Sequence, residues 1–165
     1  MSLNVNGIGE LSGGVYTLLV FVSKELTLHI GSLGEQKFPS GYYTYTGSAL
    51  GNGATSLKHR ISRHLRKEKR MFWHIDCLLS DEHVSVEAVI AVETNHKMEC
   101  NVNSYLKSLR NTTVPVDGFG ASDCTKNCES HLLYFPKINE IDGVVQKVSD
   151  HLKSRVSISS VHVFL

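Results

Sequence analysis

The 165 residues, 41% hydrophobic and 20% charged, have an ordinary globular composition that fits one domain with a single core. There is no apolar run of about 18 residues, which excludes a transmembrane helix. Met1 to Ser12 lack a basic region followed by an apolar stretch, so the expectation is no secretory signal, a cytoplasmic location, and thiols at Cys77, Cys100, Cys124 and Cys128. In chain order, Gly13-Gly14 opens the apolar, β-branched and aromatic run Val15 to Val22, which predicts a buried strand. Leu26 to Ile30 alternates and predicts a second strand, Phe38 to Gly41 a turn, and Tyr42 to Thr46 a third strand closed by Gly47, so the first 46 residues predict an antiparallel meander. After the Gly51-Asn52-Gly53 loop, Leu57, Ile61 and Leu65 recur every four residues and predict a helix from about Ala54 to about Lys69. Arg60 and His64 lie on one face at the border of its core stripe, with Arg63, Arg66 and Lys67 pointing further outward.

Phe72 to Leu79 is apolar with His74 and Asp76 embedded, and its pattern leaves helix and strand open. Val84 to Val92 predicts a strand. Met98 to Arg110 predicts a helix with Met98, Val102, Tyr105 and Leu109 on its core face and Glu99 and Asn103 together beside it. Val114 to Gly120 is loop-like, His131 to Phe135 predicts a strand, Ile141 to Leu152 a helix, and Ser157 to Leu165 a strand. The expected fold is an α/β (α+β) domain with a small central antiparallel sheet flanked by helices. Residues 1–12 form an N-terminal segment, 13–135 the domain, and 136–165 a helix–strand extension starting at Pro136.

The net charge of +1 hides an asymmetry. From Lys58 to Arg70 there are seven basic residues (Lys58, Arg60, Arg63, Arg66, Lys67, Lys69, Arg70) and one acid, Glu68. Such a stripe on a near-neutral chain fits a polyanion, although most charge runs are simply solvated helix faces.

One ordered set carries chemistry. Gly14-Val15-Tyr16 and Tyr45-Thr46-Gly47 lie on strands, Arg60-x-x-x-His64 on a helix, and Glu99 on the next helix. In order and character this set resembles the GIY-YIG nucleases. The segments Gly41 to Ala49, Arg60 to His64, Trp73-His74-Ile75-Asp76, Glu99-Cys100 and Gly118 to Cys124 look more specifically like one prokaryotic branch, once called DUF123 and grouped with Uri-type endonucleases. The resemblance covers roughly Gly13 to Phe135. Two features depart from the typical pattern: Val15 and Thr46 replace the isoleucines of the signature triplets, and the long gap between Tyr16 and Tyr45 is consistent with an inserted hairpin from Ser23 to Tyr42.

The resemblance implies metal-dependent hydrolysis of DNA phosphodiesters, such as in DNA repair, with DNA a better expectation than RNA. Tyr16 would be the general base and Tyr45 would orient the water or phosphate. Arg60 would clamp the phosphate with donors in a fixed fork, and His64 would shuttle a proton or hold Tyr16. Glu99 would bind Mg²⁺ or Mn²⁺, supported by Asn103 one turn on, with Gly47 and Ser48 beside the site. His74 is a secondary catalytic candidate. Lys58, Arg63, Arg66, Lys67, Lys69 and Arg70 would contact backbone phosphates in a salt-dependent way.

Singly, each residue has an ordinary alternative: core tyrosines, an arginine and histidine bordering a core stripe, and a first-turn carboxylate favoured by the helix dipole. The rival from another class is a GIY-YIG-fold nucleic-acid-binding module without catalysis, acting beside a repair enzyme. Cys124-x-x-x-Cys128-x-x-His131 supplies three zinc-type donors, with His74 or Asp76 as a fourth. Its spacing is looser than a Cys-x-x-Cys knuckle and no second pair exists, which favours reduced, partly buried thiols over zinc. The glycines of residues 47–53 lack the strand–turn–helix context of a dinucleotide site, so no nucleotide cofactor is expected.

Overall fold

Apolar residues run through almost every position of β1 (Gly14–Val22), so this strand is buried on both faces and must sit inside a sheet. A computed structural model, describing residues 6–137, 143–153 and 160–164, places it there. β1 lies between β4 (Gly41–Ala49) and β5 (Val84–Glu93), flanked by β6 (Leu132–Phe135) beyond β4 and β7 (Ser160–Phe164) beyond β5. All four pairings are antiparallel. The register places Tyr16 opposite Gly47 on β4 and Ala91 on β5. A bulge between Leu19 and Val20 shifts the β5 pairing, so Val84 and Val86 share a face with Val89 and Ala91.

Alternation sorts the side chains into two cores. Tyr16, Leu18, Val20, Tyr43, Tyr45 and Leu132 face a layer made by α1 (Leu57–Leu65), α2 (His74–Leu79) and the loop carrying Phe119. Val15, Ile90, Val92, Leu133 and Phe135 face α3 (Glu99–Lys107), with Val102 and Leu106 fully buried, and Val148 of α4 (Val144–Lys153). The central antiparallel sheet flanked by helices is the expected fold class.

Several local expectations change. The first 46 residues do not form a meander: β1 pairs directly with β4. Between them β2 (Leu26–His29) and β3 (Glu35–Phe38) form a separate two-stranded hairpin in the stretch expected to hold an insertion. The basic helix is shorter than the predicted 54–69. Gly53–Thr55 forms a 3₁₀ turn, and Ser56 caps α1 by accepting the His59 amide. Beyond Leu65, Lys69 Nζ donates to the carbonyls of His64 (2.7 Å) and Arg66 (2.6 Å), closing the helix end. Arg66 to Arg70 therefore lie on a loop.

The ambiguous Phe72 to Leu79 stretch resolves as α2, because buried Asp76 accepts the amides of Phe72 (3.0 Å) and Trp73 (2.8 Å) at its N-terminus. Of the expected core face of α3, Tyr105 is only half-buried and stacks on His151 of α4, while Leu106 takes the interior position. The described parts of the C-terminal stretch build into the same body, α4 packing on α3 and β7 pairing with β5. Ile141, Asp142, residues 157–159 and Leu165, which fall within the predicted last helix and strand, lie outside the described residues. Among the described residues no helix is long and apolar enough to cross a membrane.

Candidate active site

A cleft of about 440 Å³ opens at the end of the sheet where β1 and β4 meet α1. Tyr16, Tyr45, Gly47, Ser48, Arg60, His74, Glu99 and His131 all line it. Glu99 reaches it from the opposite layer: α3 packs under the second core, but Glu99 occupies its first turn, where the helix meets the sheet end. Ser48 Oγ donates to Glu99 Oε2, fixing the carboxylate against β4. Lys97 Nζ stands 3.4 Å from the other oxygen.

Tyr16 is 1% exposed, and its hydroxyl lies 2.8 Å from His64 Nε2. His64 is not on the cleft wall but directly behind Tyr16. Burial pushes its pKa down to about 3, against the pull of Asp76, so the ring is neutral. Its Nδ1 is 4.0 Å from Asp76 Oδ1, and this carboxylate favours the proton on Nδ1. Nε2 is then the acceptor and Tyr16 the donor. Burial, and then Tyr45, raises the Tyr16 pKa well above its ordinary value, while Arg60 acts in the lowering direction. Burial also raises Tyr45, so both phenols are protonated at rest.

Arg60 lies with its Cζ 4.4 Å over the Trp73 ring, and its buried Nε has no hydrogen-bond partner. Trp73 holds Arg63 at 4.3 Å as well. His74 Nδ1 accepts the Gly120 amide at 3.1 Å, and burial lowers its pKa. Its proton therefore resides on Nε2, making the ring a hydrogen-bond donor.

The other expected residues divide. Arg63 donates to both oxygens of Asp76, at 2.7 and 2.9 Å, and to the Arg70 carbonyl. Lys67 Nζ donates to the carbonyls of Leu79, Asp81 and Val84, while Lys69 closes α1. These three cations are engaged within the fold, whereas Lys58, Arg66 and Arg70 are exposed. Asn103 does not reach the cleft, and its Nδ2 donates to the Ser130 carbonyl at 2.6 Å. Residue-type reasoning missed Lys97, Ser122, Asp123, Phe72 and Trp73 as cleft residues. An aromatic pair just beyond the basic run, after Met71, was the available signal for the last two.

Cys100, Cys124, Cys128 and His131 bring one ligand atom each to within 4.8 Å of one another. This four-donor set is able to hold a metal such as zinc. The fourth donor is Cys100, not His74 or Asp76; Asp76 is held by Arg63 and two amides, and His74 by Gly120.

A family model matches residues 15–154, spanning the strands and helices that build the cleft and the four-donor set. The chain belongs to the family described as domain of unknown function DUF123. No curated protein and no solved structure matches this DUF123 chain.

Proposed function

We propose that this DUF123 chain is a GIY-YIG-type endonuclease that hydrolyses phosphodiester bonds of DNA, assisted by Mg²⁺ or Mn²⁺. The observation that carries the reading is the meeting of Tyr16, Tyr45, Arg60, His74 and Glu99 in one cleft from five separate stretches of chain. Four of these side chains belong to the ordered set that resembles the nuclease signature. Arg60 supports it further, because a buried guanidinium Nε without a partner, braced on Trp73, suits a phosphate anion.

The donors also suit a hard cation. Glu99 presents a carboxylate at the cleft wall, held by Ser48 and facing the exposed Lys97, and Asp123 lines the same space. When bound, such an ion neutralises phosphate charge and makes a nearby water more acidic.

The chain's own residues supply the rest. Arg60 binds a non-bridging phosphate oxygen and Tyr45 donates a hydrogen bond to the phosphate or the attacking water. As the water attacks phosphorus, its proton passes to the Tyr16 oxygen while the phenol proton passes to His64 Nε2. Asp76, beside Nδ1, balances the charge that develops on His64. At rest both groups are neutral; Arg60 eases loss of the Tyr16 proton but opposes a charge on His64, and Asp76 is the group that favours that charge. His74, with its proton on Nε2, assists the departing oxygen. Exposed Lys58, Arg66 and Arg70 contact neighbouring phosphates, and Phe72, 75% exposed at the cleft rim, stacks on an unpaired base.

The test is nicking of supercoiled plasmid with Mg²⁺ or Mn²⁺. Wild type is expected to nick, and Tyr16→Phe to lower the rate by about 10²–10⁴-fold. Arg60→Ala and Glu99→Gln should lower the rate while leaving the circular dichroism spectrum unchanged. Salt-dependent DNA binding by a wild type that never nicks would replace this reading with the binding module.

A further inference from the structure

The geometry points to a structural zinc ion held by Cys100, Cys124, Cys128 and His131, which locks the wall of the cleft to the helix that carries Glu99. Zinc is bound at about 2.3 Å by thiolates and about 2.0–2.1 Å by imidazole, so neighbouring donors of a tetrahedron stand about 3.6–3.8 Å apart. Cys100 Sγ lies 3.5 Å from Cys124 Sγ and 3.7 Å from His131 Nε2, both close to that edge. All four donors gather around one point, which suits a single ion. A disulfide between Cys100 and Cys124 would require about 2.05 Å. The set is closed, three sulfurs and one nitrogen with no open position, which is the composition of a structural site.

The position explains what the ion would do. Between α3 and β6 the chain runs from Ser108 to His131 with no helix or strand among the named elements. A connection of that length inside a compact body needs something to hold it. The fold supplies a few ties, including Gly118 N to the Glu129 carbonyl (2.7 Å) and His131 N to the Phe119 carbonyl (2.8 Å). Cys124 and Cys128 come from this stretch, His131 from the entry to β6, and Cys100 from the first turn of α3, directly after Glu99. A zinc ion would therefore fasten the helix turn that carries Glu99 to the segment that carries Gly120, Ser122, Asp123 and His131, all of which line the cleft. This role does not depend on the nuclease reading: a binding module with the same cleft would need the same clamp.

The test uses full-length wild-type protein purified without chelator. Metal analysis is expected to find one zinc per chain. After zinc removal, Co²⁺ should restore the metal and give the intense thiolate-to-cobalt charge-transfer absorption and tetrahedral d–d bands of a sulfur-rich site. Chelation should lower the melting temperature, and zinc should restore it. Cys100→Ser and His131→Ala should lose the metal. His131→Cys, which restores four donors, and Cys77→Ser, whose thiol lies outside the cluster, should retain it. The proposal is overturned if folded wild type holds no stoichiometric zinc and takes up no Co²⁺ with that spectrum. It is equally overturned by iron with inorganic sulfide in place of zinc, or by a thiol count short by a Cys100–Cys124 disulfide.

Discussion

Gly47 offers the most direct test of how the cleft is held. It sits opposite Tyr16 in the β1–β4 register, and a Cβ there would stand 2.6 Å from the Tyr16 hydroxyl oxygen and 2.8 Å from Cζ. Relaxed carbon contacts need about 3.5–4.0 Å. Tyr16 cannot swing aside freely, because its ring is buried and its hydroxyl is bonded to His64. Gly47→Ala must therefore displace the ring or spread the strands, an overpacking cost of about 1–3 kcal/mol. If the Tyr16–His64 hydrogen bond is lost in the process, a further 0.5–1.5 kcal/mol or so is forfeited. The expected destabilisation is about 2–4 kcal/mol, with a melting temperature lower by about 2–4 °C for each kcal/mol. Urea unfolding followed by circular dichroism should measure it, in wild type and in a Tyr16→Leu background where the clashing atoms are gone. In that background the same substitution should fall to about 0.5 kcal/mol or less, so the two sites couple strongly. Equal costs in both backgrounds would refute the claim that Gly47 exists to make room for the Tyr16 ring.

Other outcomes follow from the same structure. His64 is neutral in the fold, with a pKa near 3 against an ordinary 6.5, so below pH 6.5 the unfolded chain binds the extra proton. Its contribution to stability is complete above about pH 6.5 and is lost as pH falls toward 3, by up to about 1.4 kcal/mol per pH unit. His64→Gln should flatten that slope, and denaturation midpoints from pH 7 to 4.5 would show it. Arg63→Ala should destabilise by about 3 kcal/mol, near the low end for a broken buried pair because the guanidinium is partly exposed while Asp76 is not. Arg66→Ala should leave stability within about 0.5 kcal/mol of wild type and reduce the salt slope of DNA binding by about one. Fluorescence titrations at several salt concentrations separate the two arginines. Phe72→Ala should leave the melting temperature unchanged and weaken single-strand binding by about 1–3 kcal/mol, as expected for loss of a stacking ring.

Much of the fold was legible because local pattern and global position agree. The continuous apolar run of β1 announces a central strand, and the i, i+4 stripe of Leu57 and Ile61 announces α1. Where the reading failed, a non-local partner decided the outcome. Alternation at Leu26 to Ile30 marks a strand but not its partner, so the β2–β3 hairpin looked like part of a meander. Residue type cannot tell which cations of a basic run face solvent. The head groups of Arg63, Lys67 and Lys69 are held by Asp76 and by carbonyls, several of them more than ten residues away.

The four-donor cluster shows the same limit in its sharpest form. Cys124, Cys128 and His131 are near neighbours in sequence and were visible as donors, while the fourth donor, Cys100, sits 24 residues before Cys124, on a helix read for the carboxylate beside it. That adjacency has a physical consequence. Glu99 and Cys100 are consecutive residues in the first turn of α3, so their side chains point about 100° apart around the helix. One can face the cleft while the other faces the loop. A helix whose body is buried under the second core thereby also reaches the cleft through its first turn, where the bond from Ser48 and the cysteine–histidine cluster help to fix its direction. The convergence of Glu99 with Tyr16 and Tyr45 across two layers of the fold is therefore set by contacts at the rim of the sheet added to the packing of the helix body.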